Sequence, residues 1–307
     1  MVFSELSGQL YLWEEKMMKN KFFILAVFLL LFSLVNCSKE YGNVPSKGEI
    51  TLVADHSFKN VSEALADRYM AFYPETKIKI KLQKESEAFD DLLHNKAKLV
   101  VMSRELTDKE KKLYTSMVDL PFEPAKFAGD AVVFITSKSS EKQTLSLQEI
   151  KTELLSDQRK IIFDGTYTSN FNFVVQKLKL KPTEIKFSVL KGNENIIDQI
   201  TKYPSSIGVI SYNSISNPYS KEAIALRDKI KILSISDSKG VVQVPSVQSI
   251  RNLDYPFTRI LYFLTNEGNF GIANGFIRFS CTQIGQIVVS KEGLQPYNIF
   301  KREVQMK

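Results

Sequence analysis

The sequence predicts an α/β protein of two lobes, each a mainly parallel sheet flanked by helices. Three observations predict it. From Glu49 to Tyr114, β-rich segments alternate with amphipathic helical ones, and a β-α-β-α-β-α order makes a mainly parallel sheet covered on both faces. A second run of the same kind begins near Gly129, opening with the strand Ala131–Thr136. The stretch beyond residue 36 is long for one domain and natural for two lobes of ordinary size.

The chain opens on a leader. Lys19 and Lys21 precede an apolar run, Phe22 to Val35, which is too short to cross a bilayer as a stable helix. The run ends at Leu34-Val35-Asn36-Cys37, which resembles a bacterial lipoprotein signal in which the cysteine is lipidated and becomes the first mature residue. Asn36 stands where that pattern usually has Gly, Ala or Ser. Residues 1 to 16 carry Glu5, Glu14, Glu15 and the only tryptophan, Trp13. An acidic preface is foreign to export signals, so the start is expected at Met17 or Met18 and residues 1–36 stay outside the fold argument. A plain transmembrane anchor or an ordinary secretory signal is the alternative.

The chain has formal charge +7, and its first 36 residues hold three Lys and three Glu, so the excess belongs to the remainder. It suits an anionic ligand or membrane surface, or simply solubility. The lysines are scattered rather than striped, so no nucleic-acid partner is expected. Cys281 is the only other cysteine, so lipidation of Cys37 excludes a disulfide framework, and Cys281 reads as a small core residue. Two histidines and one usable cysteine do not make a common structural zinc site. No metal or cofactor is expected.

Residues 37–47 contain Gly42 and Pro45 and read as a polar tether. Glu49–Ala54 is a strand, Asp55-His56-Ser57 a polar turn, and Phe58 to Tyr73 a helix with Phe58, Val61, Leu65, Tyr69 and Phe72 on one face, ended by Pro74. Lys77–Leu82 alternates lysine with apolar residues, the period of a half-exposed strand. Glu85–Asn95 is predicted helical, Ala97–Met102 a buried strand running into Ser103-Arg104, and Thr107–Tyr114 a helix. In the second unit Ser146–Leu155 is a helix, Lys160–Phe163 a strand entering the polar loop 164–170, and Phe171–Leu180 a helix. Asn193–Tyr203 reads as helix, Ile207–Tyr212 and Arg259–Leu264 as strands, and Phe270–Phe279 and Thr282–Ser290 as closing helices.

Several of these segments, in order, resemble the periplasmic phosphate-binding protein family of ABC transporters. They are Ser103-Arg104-Glu105-Leu106-Thr107, Ser146-Leu147-Gln148-Glu149-Ile150, and Ser205-Ser206-Ile207-Gly208-Val209-Ile210-Ser211-Tyr212. The return segment Tyr255-Pro256-Phe257-Thr258-Arg259-Ile260-Leu261-Tyr262-Phe263 and the closing pieces Phe276–Phe279, Gly285–Val289 and Gly293–Pro296 complete the set. The similarity runs from about Gly48 to Tyr297. It implies a type II periplasmic-binding-protein-like fold with a two-strand hinge. Lobe 1 would be 48–125 with 245–307, and lobe 2 would be 126–244. It also implies a monomeric, non-catalytic protein of the cell envelope. Anchored to the membrane through its lipid and facing the periplasm or exterior, it would capture inorganic phosphate or a similar oxyanion for an ABC permease of the inner membrane.

An oxyanion taken out of water needs many donors, and loops entering helix N-termini supply free N–H groups and a favourable dipole. Three places qualify: Asp55-His56-Ser57-Phe58, Ser103-Arg104, and Thr166–Asn170 with Thr168, Ser169 and Asn170. The family's third loop is of the type Arg-Ser-Asp-x-Ser-Gly-Thr. Here its arginine and second glycine are absent and the carboxylate stands at Asp164. Asp55 and Ser57 also suit simple helix capping, His56 an ordinary loop residue, Arg104 a surface pair with Glu105 or Asp108, and Thr166–Asn170 a turn. Asp130, near the hinge, is either a solvated hinge residue or an acceptor for the proton of a protonated anion, which would disfavour a fully ionised one. His94, Tyr212 and Arg259 read as structural. Two other functions compete. One is an anion sensor or scaffold that keeps the fold. The other is a lipid-anchored hydrolase using Ser57 or Ser169 with His56 or His94, against which there is neither a nucleophile-elbow pattern nor a metal-binding pair of histidines.

Overall fold

Two sheets share one long strand. The computed structural model describes residues 44–299, so the leader, Cys37 and most of the tether lie outside the described residues. The elements run β1 (Lys47–Ala54), α1 (Lys59–Phe72), β2 (Glu75–Leu82), α2 (Glu85–Leu93), β3 (Leu99–Met102), α3 (Asp108–Val118) and β4 (Ala125–Ser137). There follow β5 (Thr144–Ser146), α4 (Leu147–Leu155), β6 (Ile161–Phe163), α5 (Ser169–Lys177), β7 (Ser188–Val189), α6 (Asn193–Lys202) and β8 (Ile207–Ser211). The rest is α7 (Asn213–Ser216), α8 (Lys221–Arg227), β9 (Ile230–Ile232), β10 (Ser234–Ser236), β11 (Val242–Gln243), α9 (Val247–Arg251), β12 (Thr258–Thr265), α10 (Ile272–Ser280), α11 (Gln283–Lys291) and β13 (Gln295–Pro296).

In the first lobe β2, β1 and β3 are parallel neighbours. β2 is an edge strand: Thr76 and Ile78 turn inward, while Lys77, Lys79 and Lys81 stay exposed and discourage pairing with another chain. β12 lies antiparallel to β3, and β4 antiparallel to β12, because both belong to the chain's passage between lobes. The near half of β4 pairs with β12 and β13, whereas Val132–Ile135 pairs with β8 and Ile135–Ser137 with β9. β6 and β7 extend the second sheet in parallel. The chain thus crosses inside one unbroken strand. It returns beside it, where the Val132 N–H donates to the Phe257 carbonyl at 3.0 Å.

Strand alternation separates the cores. Leu52 and Phe263 face α1 and α10, with Leu65, Tyr69 and Phe276. Their neighbours Val53, Tyr262 and Leu264 face α2 and α3, with Leu92 and Tyr114. The second lobe encloses Val133, Phe163, Phe171, Val174, Ile196 and Val209. Ile250, Tyr255 and Phe257 pack into that core too, although they follow residue 245. Cys281 is partly buried against the first core. Among the described residues no helix is long and apolar enough to cross a membrane.

Candidate functional site

The carboxyl ends of β1, β3 and β6 meet across the cleft between the lobes, the place where open α/β sheets bring their ligands. From β1 the chain enters a single 3-10 turn, His56–Phe58, capped by Asp55, whose Oδ1 accepts the Ser57 N–H at 3.0 Å. From β6 it enters a loop turned by two residues of positive φ, Gly165 at 151° and Tyr167 at 63°. Glycine takes that conformation freely, whereas tyrosine there costs about 1–3 kcal/mol. This loop delivers the N-terminus of α5 to the first lobe, where Asp55 Oδ2 accepts the Ser169 N–H at 3.0 Å. The Thr168 hydroxyl donates to Asp164 Oδ1 at 2.7 Å, and Asn170 Nδ2 donates to Ser57 Oγ and Asp164 Oδ2, both at 3.3 Å.

Arg259 lies at the centre and is fully buried. Its Nε and Nη2 donate to Asp130 Oδ2 at 3.0 and 2.8 Å, and Nη2 also donates to Asn170 Oδ1 at 3.1 Å and to the Ser211 hydroxyl. Its Cζ sits 4.7 Å from the centroid of the Phe58 ring, whose face attracts the charge. Asp130 Oδ1 accepts the Asn213 N–H at 3.1 Å. Arg259 and Asp130 are cross-strand partners in β12 and β4. The pair therefore stands where the chain changes lobes.

A third cluster gathers on Glu85, the fully buried first residue of α2. Its Oε1 accepts both the Ser103 N–H and the Ser103 hydroxyl at 2.7 Å. Its Oε2 accepts Asn172 Nδ2 of α5 at 3.2 Å and lies 3.5 Å from Arg104 Nε. Arg104 turns its fork onto Glu110, with contacts of 2.6 and 2.9 Å. Burial pushes the Glu85 carboxyl up, opposed by Arg104 and Ser103. Burial also pushes Asp164 up, to about 7, reinforced by the neighbouring Asp55 carboxylate. Beside Asp55, Asp164 and Thr168 the cleft opens into a cavity of about 550 Å³ bordered by both signs of charge, Lys59, Lys84 and Lys191 with Glu194, Glu222 and Glu292.

The structure brings Asp55, Ser57, Phe58, Asp130, Ser169 and Asn170 into one connected network through Arg259. Thr168 joins it through Asp164. His56 is exposed at the mouth. Ser103 and Arg104 are held by Glu85 and Glu110, and both line a second cavity of about 750 Å³ that Arg259 also borders. Asp130 gives both oxygens to the fold, one to the Arg259 guanidinium and one to the Asn213 N–H. Among the described residues Ser169 Oγ and Arg259 Nη1 are buried without a hydrogen-bond partner, and no histidine is bonded to Ser57 or Ser169, since His94 pairs with Asp90 on the surface. Sequence reasoning set Arg259 aside as structural and passed over Glu85 and Ser211. The available signal was the arginine in the return segment Tyr255–Phe263.

A family model described as "PBP superfamily domain" matches residues 40–283. The phosphate-binding protein PstS of Borreliella burgdorferi is 25% identical over 294 residues, covering 88% of this chain and 96% of that protein. The protein of the same name from Staphylococcus haemolyticus is 22% identical over 266 residues, with 78% of each chain covered. Among solved structures, a putative phosphate ABC transporter substrate-binding protein with bound phosphate from Clostridium perfringens superposes with a TM-score of 0.66 at 18% identity, covering 82% of this chain and 100% of that one. An ABC-type phosphate transport receptor from Vibrio cholerae gives 0.62 at 15% identity, covering 80% and 99%. These superpositions show the two-lobed fold.

Proposed function

The chain belongs to the PBP superfamily, and on that footing we propose that it is a lipid-anchored solute-binding protein that captures phosphate or a related oxyanion for an ABC permease. The observation that carries the reading is the start of α5. A helix N-terminus with Thr168, Ser169 and Asn170 as its first groups faces a polar turn of the other lobe, and such an end attracts an anion through its free N–H groups and its dipole. The names of the relatives support phosphate as the anion. Lipidation at Cys37 would hold the protein at the outer face of the membrane. The moving bodies in this reading are residues 48 to about 131 with about 258–299, and about 132–257, with the pivot in β4 and at Phe257–Thr258. The residues that line or shape the ligand cradle in this reading are Asp55, His56, Ser57, Phe58, Ser103, Arg104, Asp130, Thr168, Ser169 and Asn170, to which we add Arg259. The protein acts as a monomer and as a receptor, not an enzyme.

One observation favours a second reading, an anion sensor or scaffold that has left transport: the Ser169 N–H already holds a carboxylate of the chain. Thermal unfolding with phosphate, sulfate and chloride separates receptor from scaffold. A ligand at about a hundredfold its Kd adds about 2.7 kcal/mol of stability, which for a body of this size raises Tm by roughly 5–10 °C. Phosphate is expected to do so and chloride not. No shift with any oxyanion at millimolar concentration removes the receptor reading and leaves the scaffold.

A further inference from the structure

The Asp55 carboxylate spans the cleft with its two oxygens. Oδ1 accepts the Ser57 N–H of its own turn at 3.0 Å, and Oδ2 accepts the Ser169 N–H of the opposite lobe at 3.0 Å. Its residue is 1% exposed. Oxygens of a bound oxyanion would be held in the same manner, by backbone N–H groups from both lobes and by the positive end of α5. The chain has therefore set a negative group of its own on the cradle. The same pattern recurs at Ser103-Arg104, where Glu85 takes the Ser103 N–H and hydroxyl. α5 is also docked on the first lobe by Asn170 on Ser57, Asn172 on Glu85 and Gln176 on the Glu105 carbonyl, but of these bonds only that of Asp55 uses a backbone N–H at the helix start.

We propose that Asp55 is a tethered competitor for the anion: it fills the α5 N-terminus, ties the lobes together at rest, and sets how tightly an oxyanion binds. The proposal rests on the α5 N-terminus being the ligand cradle. An arriving phosphate must move Asp55 aside, because two anions cannot share one N–H and repel across the same few ångströms. Binding is then weakened by the fraction of molecules in which the cradle is free. At rest the Asp55 carboxylate also stands beside Asp164, whose carboxyl is pushed up to about 7 by burial and by Asp55. Ser169 Oγ, buried without a partner, is a donor that an arriving oxyanion would use and that the Asp55 carboxylate does not.

The test uses the full chain in detergent, with Asp55→Ser and the near-isosteric Asp55→Asn. Hydrogen–deuterium exchange reads the first turn of α5, and equilibrium dialysis with labelled inorganic phosphate reads affinity. Asp55→Ser should exchange the Ser169–Asn172 amides at least tenfold faster without phosphate, regain protection when phosphate is added, and bind phosphate at least tenfold more tightly than the parent. Asp55→Asn, whose single carbonyl oxygen can accept only one of the two N–H groups and which has no charge, should fall between on both readouts, and an unchanged far-UV spectrum shows that it is folded. Unchanged exchange at Ser169 in both variants overturns the proposal. So does a parent that binds phosphate as tightly as Asp55→Ser, while leaving the receptor reading intact. Faster exchange in Asp55→Ser with phosphate binding in neither protein supports the tether and overturns the phosphate reading.

Discussion

Removing the Arg259 guanidinium should destabilise the protein more than most single changes. The side chains of Arg259 and Asp130 are 0% and 1% exposed, and Asp130 Oδ2 takes two of the guanidinium's donors at 3.0 and 2.8 Å. Arg259→Met leaves Asp130 buried with the Asn213 N–H as its remaining partner. It also strips a donor from Asn170 Oδ1 and Ser211. Breaking a buried pair in this way costs about 3–5 kcal/mol, whereas replacing both members is often nearly neutral. At roughly 2–4 °C per kcal/mol for a body of this size, the single change lowers Tm by about 6–20 °C. Asp130→Asn should cost somewhat less, because Asn170 and Ser211 still take Nη2. The double variant should cost well under the sum of the singles, with a coupling of about 2 kcal/mol or more. Urea and thermal unfolding by circular dichroism measure all three. A single-variant cost below about 1 kcal/mol, or a double variant equal to the sum, refutes the reasoning.

Asp164 gives a pH dependence. Its folded value of about 7 lies above the ordinary 3.8, so the folded state holds a proton the unfolded chain releases; its contribution is fully present below about pH 4 and is lost as pH rises through about 7. Asp164→Asn should flatten that fall, as read from Tm against pH. Ser169→Ala removes a hydroxyl that has no partner, so the protein alone should be as stable or more stable, while phosphate affinity falls roughly tenfold, about 1.4 kcal/mol, by titration calorimetry. Cys37→Ser should release the protein from membranes or leave its leader uncut, as fractionation and mass spectrometry show; a correctly cut, still membrane-bound product contradicts lipidation.

The layered α/β order was legible because its signals are strong. β1, β3, β8 and β12 are apolar runs, and α1 carries Val61, Leu65 and Tyr69 on one buried face. The short strands β5, β9, β10 and β11 are not legible, since two or three residues show no period and their pairing is decided at long range. The crossing strand begins at Ala125, not Ala131, because Ala125–Asp130 is held by ladders to β12 and β13 rather than by its own composition. In the site, hydroxyl-rich helix starts pointed to Ser57, Thr168, Ser169 and Asn170. The partners did not follow from local sequence. Glu85 reaches Ser103 across 18 positions, Asp55 reaches Ser169 across 114, and Arg259 reaches Asp130 across 129. Such a pairing is a property of the folded topology, and a sequence names its members without naming the pairs.

The central claim is that an oxyanion is held at the N-terminus of α5, and amide NMR of the chain during a phosphate titration tests it most directly. The account predicts saturable shifts concentrated on Ser57, Ser169 and Asn170, largest at Ser169 as its N–H changes from the Asp55 carboxylate to the ligand, with sulfate weaker. Saturable shifts confined to exposed lysine segments, or none at Ser169 and Asn170, would contradict it.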